Sequence, residues 1–438
     1  MKLRGAVLTI AVAAIAAAAP SSTGVTYYKD VAPVIQSRCQ ECHRPGEIGP
    51  MSFMSYDEVR PWAKAIKTAI VTKKMPPWSA DPHFGKFSND RSLSQAEADT
   101  LVAWVDGGSP AGNPKDAPKP REYYQGWQIG KPDVVYELPN PIEIPSSGVV
   151  DYTYVVIPTH FTEDKWVQFA EVRPDARSVV HHVLAFLRPP GNYFMKDAQP
   201  GIPYIPPHFG AGQGQQGQGN RANLRDQIPG EMLVGYAPGL PPTECKPGEA
   251  KLIKAGSDIV LQLHYTPNGK ATTDRTKFGL IFAKEPPQKR VMTEMAVNFF
   301  LKIPPGDPNY ETHSHAVMPA DVSLVSLMPH MHLRGKDFLF KAVYPTGETQ
   351  TLLSVPKYDF SWQISYVLDK EMLLPKGTRI ECTAHYDNSV NNPNNPDPTK
   401  EVRWGDQTFE EMMIGFFDVA FDANTDPFAP QRTAGRSD

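Results

Sequence analysis

The chain has 438 residues, 40% hydrophobic and 21% charged, with 45 prolines and a formal net charge of −4 at pH 7. That length allows two or three domains, each with a core of its own, and so much proline favours loops and strand edges over long helices. The mild acidity, with a pI near 6.3, leaves no electrostatic footprint for nucleic acid, so no nucleic-acid partner is expected.

The opening MKLRGAVLTIAVAAIAAAAPSS has a basic start at Lys2 and Arg4, an apolar run from about Ala6 to Ala19 and small residues at its end. This is the pattern of a secretory signal, residues 1–19, cleaved near Ala19. An uncleaved anchor is the competing reading, but the run is shorter than the ~20 apolar residues a membrane span prefers. No other segment could cross a bilayer, so no membrane span is expected after cleavage.

The stretch SRCQECHRPGEIGP, residues 37–50, sets Cys39, Cys42 and His43 in C-x-x-C-H. In that spacing two thiols attach one haem c covalently and the His takes an axial position on its iron. Such attachment on an exported chain implies a bacterial periplasm or secretion. Around it the pattern predicts helices. Val31, Val34 and Ile35 precede the motif, and Val59, Trp62, Ile66, Ala69 and Ile70 recur at amphipathic helical spacing. Ser94 with Glu97 makes a capping box for a third helix that ends at Gly107 and Gly108.

Met75 lies on the Pro-rich loop KKMPPWSADP. Its thioether as second axial ligand would complete a His/Met haem suited to electron transfer. His83 is the competing ligand, and a Met packed on the haem edge is the alternative role. The first helix and the Met-Pro loop resemble a mono-haem cytochrome c, which implies a small all-α cytochrome c domain over residues 26–112. Residues 113–130, rich in Pro, Lys and Gly, read as a linker docked through Tyr123, Tyr124 and Trp127.

From about Asp133 the pattern changes to short apolar runs bounded by Pro, Gly and Asp, among them YTYVVIP, SVVHHVLAFLR, DIVLQLHYTP, VSLVSLMPHMHL and MIGFFDVAF. These predict strands, and the length suits two all-β sandwiches in tandem. GAGQGQQGQGN, residues 210–220, is a low-complexity loop. Cys245 and Cys382 are left over, and in an oxidising compartment they could pair; spacing alone does not decide it.

Histidines recur on these strands. His330 and His332 form H-x-H, which puts two imidazoles on one side of an extended chain. His181 and His182 are adjacent and could serve one metal only across a bend or bulge. His264 alone would more often be a hydrogen-bonded core residue than a ligand. His313 and His315 make a further H-x-H and His385 lies on another strand-like run, so spacing does not choose among them.

The order HH, LQLHY, H-x-H and an acidic-Met pair, with IPPG at 303–306 and FEEMMIGFF at 409–417, resembles the copper type II, ascorbate-dependent monooxygenases. That is the family of peptidylglycine α-hydroxylating monooxygenase and dopamine β-monooxygenase. The resemblance spans roughly residues 131–425. It implies two jelly-roll-like copper-binding subdomains, 131–290 and 291–425, followed by a tail, 426–438. It also implies two coppers per chain: one held by His181, His182 and His264 for electron transfer, the other by His330, His332 and Met412, where O₂ and substrate meet. Met412 is preferred to Met413 because it directly follows Glu411. Imidazole suits both copper oxidation states and a thioether favours Cu(I).

The peptide-processing member of the family holds its substrate carboxylate with an Arg, an Asn and a Tyr. Met328, Ile414 and Phe416 stand at the corresponding positions, which implies a different, less polar substrate. The expected function is a periplasmic haem- and copper-dependent monooxygenase that hydroxylates a C–H bond of a small organic molecule. Its electrons would enter through the haem from a periplasmic donor or an ascorbate-like reductant. A copper oxidase or peroxidase of a small reductant, and a non-catalytic electron-transfer or copper-binding protein, are the alternatives.

Overall fold

The computed structural model describes residues 24–123, 126–206, 230–238 and 240–428. The expected signal segment, the low-complexity loop 210–220, Tyr124 and the end of the tail lie outside the described residues. Among the described residues strands take 36% and helices 11%, so this is a β protein with a small helical part. It divides into two compact units.

The first unit comprises the described residues up to Gln40 with 53–75 and 93–120. Its helices are Ala32–Arg38, Tyr56–Val59, Ala63–Val71 and Gln95–Asp106. They pack around Tyr27, Val31, Ile35, Val59, Leu101 and Trp104, all buried. The capping box forms as the sequence predicts: Ser94 Oγ accepts from the Glu97 N–H and the Glu97 carboxylate accepts from the Ser94 N–H.

The expectation of a separate all-α cytochrome c domain is corrected here. Residues 41–52, which carry Cys42 and His43, and residues 76–92 belong to the β-rich unit. The boundary falls after Gln40, inside the C-x-x-C-H motif. The cause is local. RPGEIGP is too rich in Pro and Gly to continue a helix; Glu47 in it pairs with Arg177 of the β-rich unit, and the loop 76–92 bonds to strand residues. Phe87 bridges to Leu368, and Trp78 meets Tyr366 edge to face at 4.9 Å.

In the second unit one sheet runs through both halves of the β region. Its strands follow the order Val134–Glu137, Lys277–Phe282, Lys165–Arg173, Glu249–Ile253, Lys289–Val297, Ile414–Asp422, Val322–His330 and Tyr366–Leu374. A four-stranded sheet of Thr153–Pro158, Asp258–Tyr265, Val180–Arg188 and Met232–Tyr236 packs on the first half of it, around Val155, Val183, Leu261 and Phe278. A second four-stranded sheet, Tyr310–Val317, Arg379–Tyr386, Gly335–Val343 and Thr349–Val355, packs on the other half, around Phe338, Phe340, Leu353 and Phe417.

Two free-standing tandem sandwiches, the other part of the expected fold, are therefore corrected to two layers on a shared sheet. The join is the parallel pairing of Lys289 with Glu249 and Arg290 with Ala250. Joining the half-sheets there removes two open strand edges that would otherwise need covering.

Candidate metal centre

His182 and His264 face each other directly across neighbouring strands, and the ladder register shifts between Val180 and His182. That bulge inserts the extra residue that lets His181 and His182 turn toward the same side. One ring nitrogen from each of His181, His182 and His264 lies within 4.8 Å of the others. The Nδ1 atoms of His181 and His182 are 3.1 Å apart, and those of His264 and His181 are 3.2 Å apart.

Burial holds all three rings neutral. It pushes the His181 pKa down to about 4, and those of His182 and His264 well below the usual range. A neutral imidazole has one N–H and one in-plane lone pair. His181 Nδ1 therefore cannot make two good hydrogen bonds to two Nδ1 neighbours, whereas one cation would satisfy all three lone pairs. Nε2 of His181 and of His182 is buried with no hydrogen-bond partner, and Nε2 of His264 meets the Thr408 hydroxyl at 3.2 Å.

The H-x-H pair is oriented through its other nitrogens. His330 Nδ1 donates to Gln363 Oε1 at 2.8 Å and His332 Nδ1 to the Glu410 carbonyl at 3.2 Å. Each ring thus keeps its lone pair on Nε2, and His332 Nε2 is buried without a partner. Burial lowers the His330 pKa to about 4 and that of His332 further. Met412 is buried, two residues before Ile414, which pairs across the sheet with His330. Its carbonyl accepts from the Tyr386 hydroxyl at 2.7 Å.

The acid beside Met412 has a structural task. The buried Glu411 carboxylate accepts the N–H of His332 at 2.8 Å and of Arg334 at 2.6 Å, which ties the H-x-H turn to the Met412 backbone. Burial lifts its pKa to about 7.

The two histidine groups adjoin. His182 and His330 have ring centroids 6.3 Å apart. Tyr152 packs edge-on against His264 at 4.3 Å, His182 at 5.3 Å and His332 at 5.8 Å. Phe360 stacks on His181 at 4.7 Å and lies 5.8 Å from both His264 and His332. Sequence reasoning missed Tyr152, Phe360, Gln363 and Thr408. None stands in a motif, since each acts through contacts made only after the chain folds.

A cavity of about 330 Å³ has Leu184, Met328 and Phe416 in its wall and none of the five histidines. Leu184 and Met328 are each two strand residues from a histidine, and the Phe416 ring is 6.2 Å from that of His330. Part of its polar wall is paired internally. Lys251 donates to the Met232 carbonyl, Thr293 and Asp418, and Asp418 also accepts from Thr293 and Ser326.

The remaining candidates lie elsewhere. His313 and His315 point outward, His313 paired with Glu311, and His385 is held between Asp337 and Glu311. His83 is 82% exposed and bound to Asp81, whereas Met75 is half-buried. Cys245 and Cys382 are not bonded to each other and sit in different core clusters. In the C-x-x-C-H motif, His43 Nδ1 donates to the Met51 carbonyl at 3.2 Å, which places the ring proton on Nδ1. Gly49 lies so close that a Cβ there would stand 2.6 Å from His43 Nδ1.

No family model and no curated protein matches the sequence. Among solved structures the chain is similar to a protein of infectious bursal disease virus, Gx strain, at 8% identity over 68% of this chain and 73% of that one, with a TM-score of 0.19. The VP2 subviral particle of the same virus is similar at 10% identity over 68% of this chain and 74% of that one, TM-score 0.18. Likeness at that level carries nothing about site or activity.

Proposed function

We propose that the protein is a periplasmic or secreted copper monooxygenase that hydroxylates a C–H bond of a small, weakly polar molecule with O₂, electrons entering through a covalent haem c. The observation that carries this reading is the meeting of two neutral histidine groups, His181/His182/His264 and His330/His332, in one buried cluster. The donor sets suit copper: imidazoles in both groups, with the Met412 thioether as the soft ligand this reading assigns to the second. Copper held there would supply one-electron redox chemistry and a place for O₂, and haem on Cys39, Cys42 and His43, with Met75 as second ligand, would supply electrons singly.

The chain's own residues prepare the site. Gln363 and the Glu410 carbonyl fix which nitrogens of His330 and His332 face inward. Thr408 does the same for His264. Tyr152 and Phe360 exclude water from between the groups, which strengthens every electrostatic interaction there. The cavity whose wall Met328 and Phe416 share supports a weakly polar substrate, since both are apolar and its Lys251 and Asp418 are paired with each other. Its size suits a small organic molecule.

The test is copper analysis, EPR and O₂ uptake on haem-loaded protein. Two coppers per chain are expected, with nitrogen-ligated Cu(II) signals, one lost in His264→Ala and the other in His332→Ala. O₂ uptake should require both. Two bound coppers with no O₂ uptake under any reductant would favour an electron carrier instead, and zinc in both sites would sink the reading.

A further inference from the structure

The segment Glu41–Ser52, which carries Cys42 and His43, is part of the β-rich unit, and its contacts there are specific. Glu47 forms an ion pair with Arg177, whose side chain is only 12% exposed against 19% for Glu47. Arg177 stands four residues before His181, in the turn that leads into the strand Val180–Arg188. The same Glu47 carboxylate holds Arg44 at 3.1 Å, and the Arg44 guanidinium lies 4.3 Å over the Tyr123 ring.

Tyr236 continues the contact. It pairs with Val183, the residue after His182, and Arg177, Glu47 and Cys42 are the titratable groups around its hydroxyl. One short stretch of sheet therefore carries the first histidine group and also receives the loop of the haem motif.

We propose that the Arg177–Glu47 ion pair locks the haem-attachment segment onto the strand that bears His181 and His182, so that a haem bound there is held at a fixed distance from the first histidine group. The redox role of that distance rests on the functional reading above; the lock itself does not. Arg177 and Glu47 are positioning residues. A partly buried pair suits this work: Glu47 serves Arg177 and Arg44 together, so replacing it strips two partly buried guanidinium groups of their carboxylate, which costs far more than losing an exposed pair would.

The experiment uses the full haem-loaded chain, with and without copper, as wild type, Arg177→Glu, Glu47→Arg and the double exchange. Hydrogen exchange of residues 41–52 tests the lock without reference to copper. Each single variant should lower protection there by about tenfold or more, and the double exchange should restore part of it, since Arg44 still loses the Glu47 carboxylate. In the copper-loaded, singly reduced protein without O₂, ferrous haem loses one electron and Cu(II) gains it. Haem absorbance and the Cu(II) EPR signal follow this step, which should slow in the single variants and recover in the double. Unchanged exchange and an unchanged rate in both single variants would overturn the lock. A wild type whose haem never reduces its copper, yet whose exchange responds as described, would overturn the electron path and leave the lock standing.

Discussion

A histidine serves a cation only through a nitrogen that carries no proton, so the residues that place the proton matter as much as the ring. Gln363 does this for His330. Gln363→Leu keeps the volume and removes the acceptor, and should weaken metal binding at the His330/His332 group by roughly 10–100-fold, while the His181 group keeps its affinity; chelator competition read by EPR separates the two. Gly49→Ala should act on the haem side, because the new Cβ displaces His43 from the Met51 carbonyl. The haem spectrum and midpoint potential should shift, and an unchanged potential would show that the loop yields without moving the ring. Acid should act on the metal-free cluster as a whole. His181 and His330 titrate near 4 in the fold and at about 6.5 when unfolded, so the unfolded chain binds more protons between those values and stability falls as pH drops through that window, by about 3 kcal/mol per ring. His182, His264 and His332 add to the fall. Glu411 and Asp406, raised by burial to about 7 and about 6, run the other way, since their protonated forms are favoured in the fold. With five imidazoles against two carboxyls, the urea midpoint of metal-free protein should fall from pH 7.5 to pH 5, and bound metal should blunt the fall. A midpoint that rises on acidification would mean the rings are not neutral in the fold.

At the scale of elements, local patterns succeed where the physics is local. Ser94 and Glu97 are three residues apart and cap the helix Gln95–Asp106 from within. Ser94→Ala should cost about 1 kcal/mol, and Glu97→Ala more, because that carboxylate also holds Arg38 at 2.9 Å; urea unfolding of the two variants should show the order. The alternation of H-x-H was legible in the same way, and so was the requirement for a bulge at His181 and His182, because strand geometry forbids two adjacent side chains on one side without it. What was not legible depends on partners far along the chain. The segment between Arg403 and Ile414 sends Thr408 to His264, the Glu410 carbonyl to His332 and Gln407 to the Tyr152 N–H at 2.9 Å. It thus ties both histidine groups together, and nothing in its composition announces that. Likewise the helical spacing around Cys39 cannot tell that the loop 41–52 pairs with Arg177 or that the loop 76–92 bonds to strands.

At the scale of the β-rich unit, the shared sheet decides how the site can be divided. Strand runs separated by turn signals look the same whether they close into two sandwiches or feed one sheet, since the pairing of Lys289–Val297 with Glu249–Ile253 is a long-range contact with no local signature. If the halves were independent, residues 131–290 and 291–425 would each fold alone. In the structure, separation there would sever the strand Lys289–Val297, leave open edges on both pieces and strand the buried Lys251 without Thr293 and Asp418, its partners on the other half. An unpaired buried ammonium costs several kcal/mol, and an open edge invites association with other chains. Each half expressed by itself should therefore be insoluble or aggregate, and the intact unit should unfold in one transition, with Trp166 in the first half and Trp404 in the second as local probes. Lys251→Met supplies the finer test. It removes the charge but leaves the partly buried Asp418 with only Thr293 and Ser326, so stability should fall while the single transition is kept. Two resolved transitions, or a soluble folded half, would show that the sheet is a contact between domains and that the histidine groups are brought together by docking instead of by one fold.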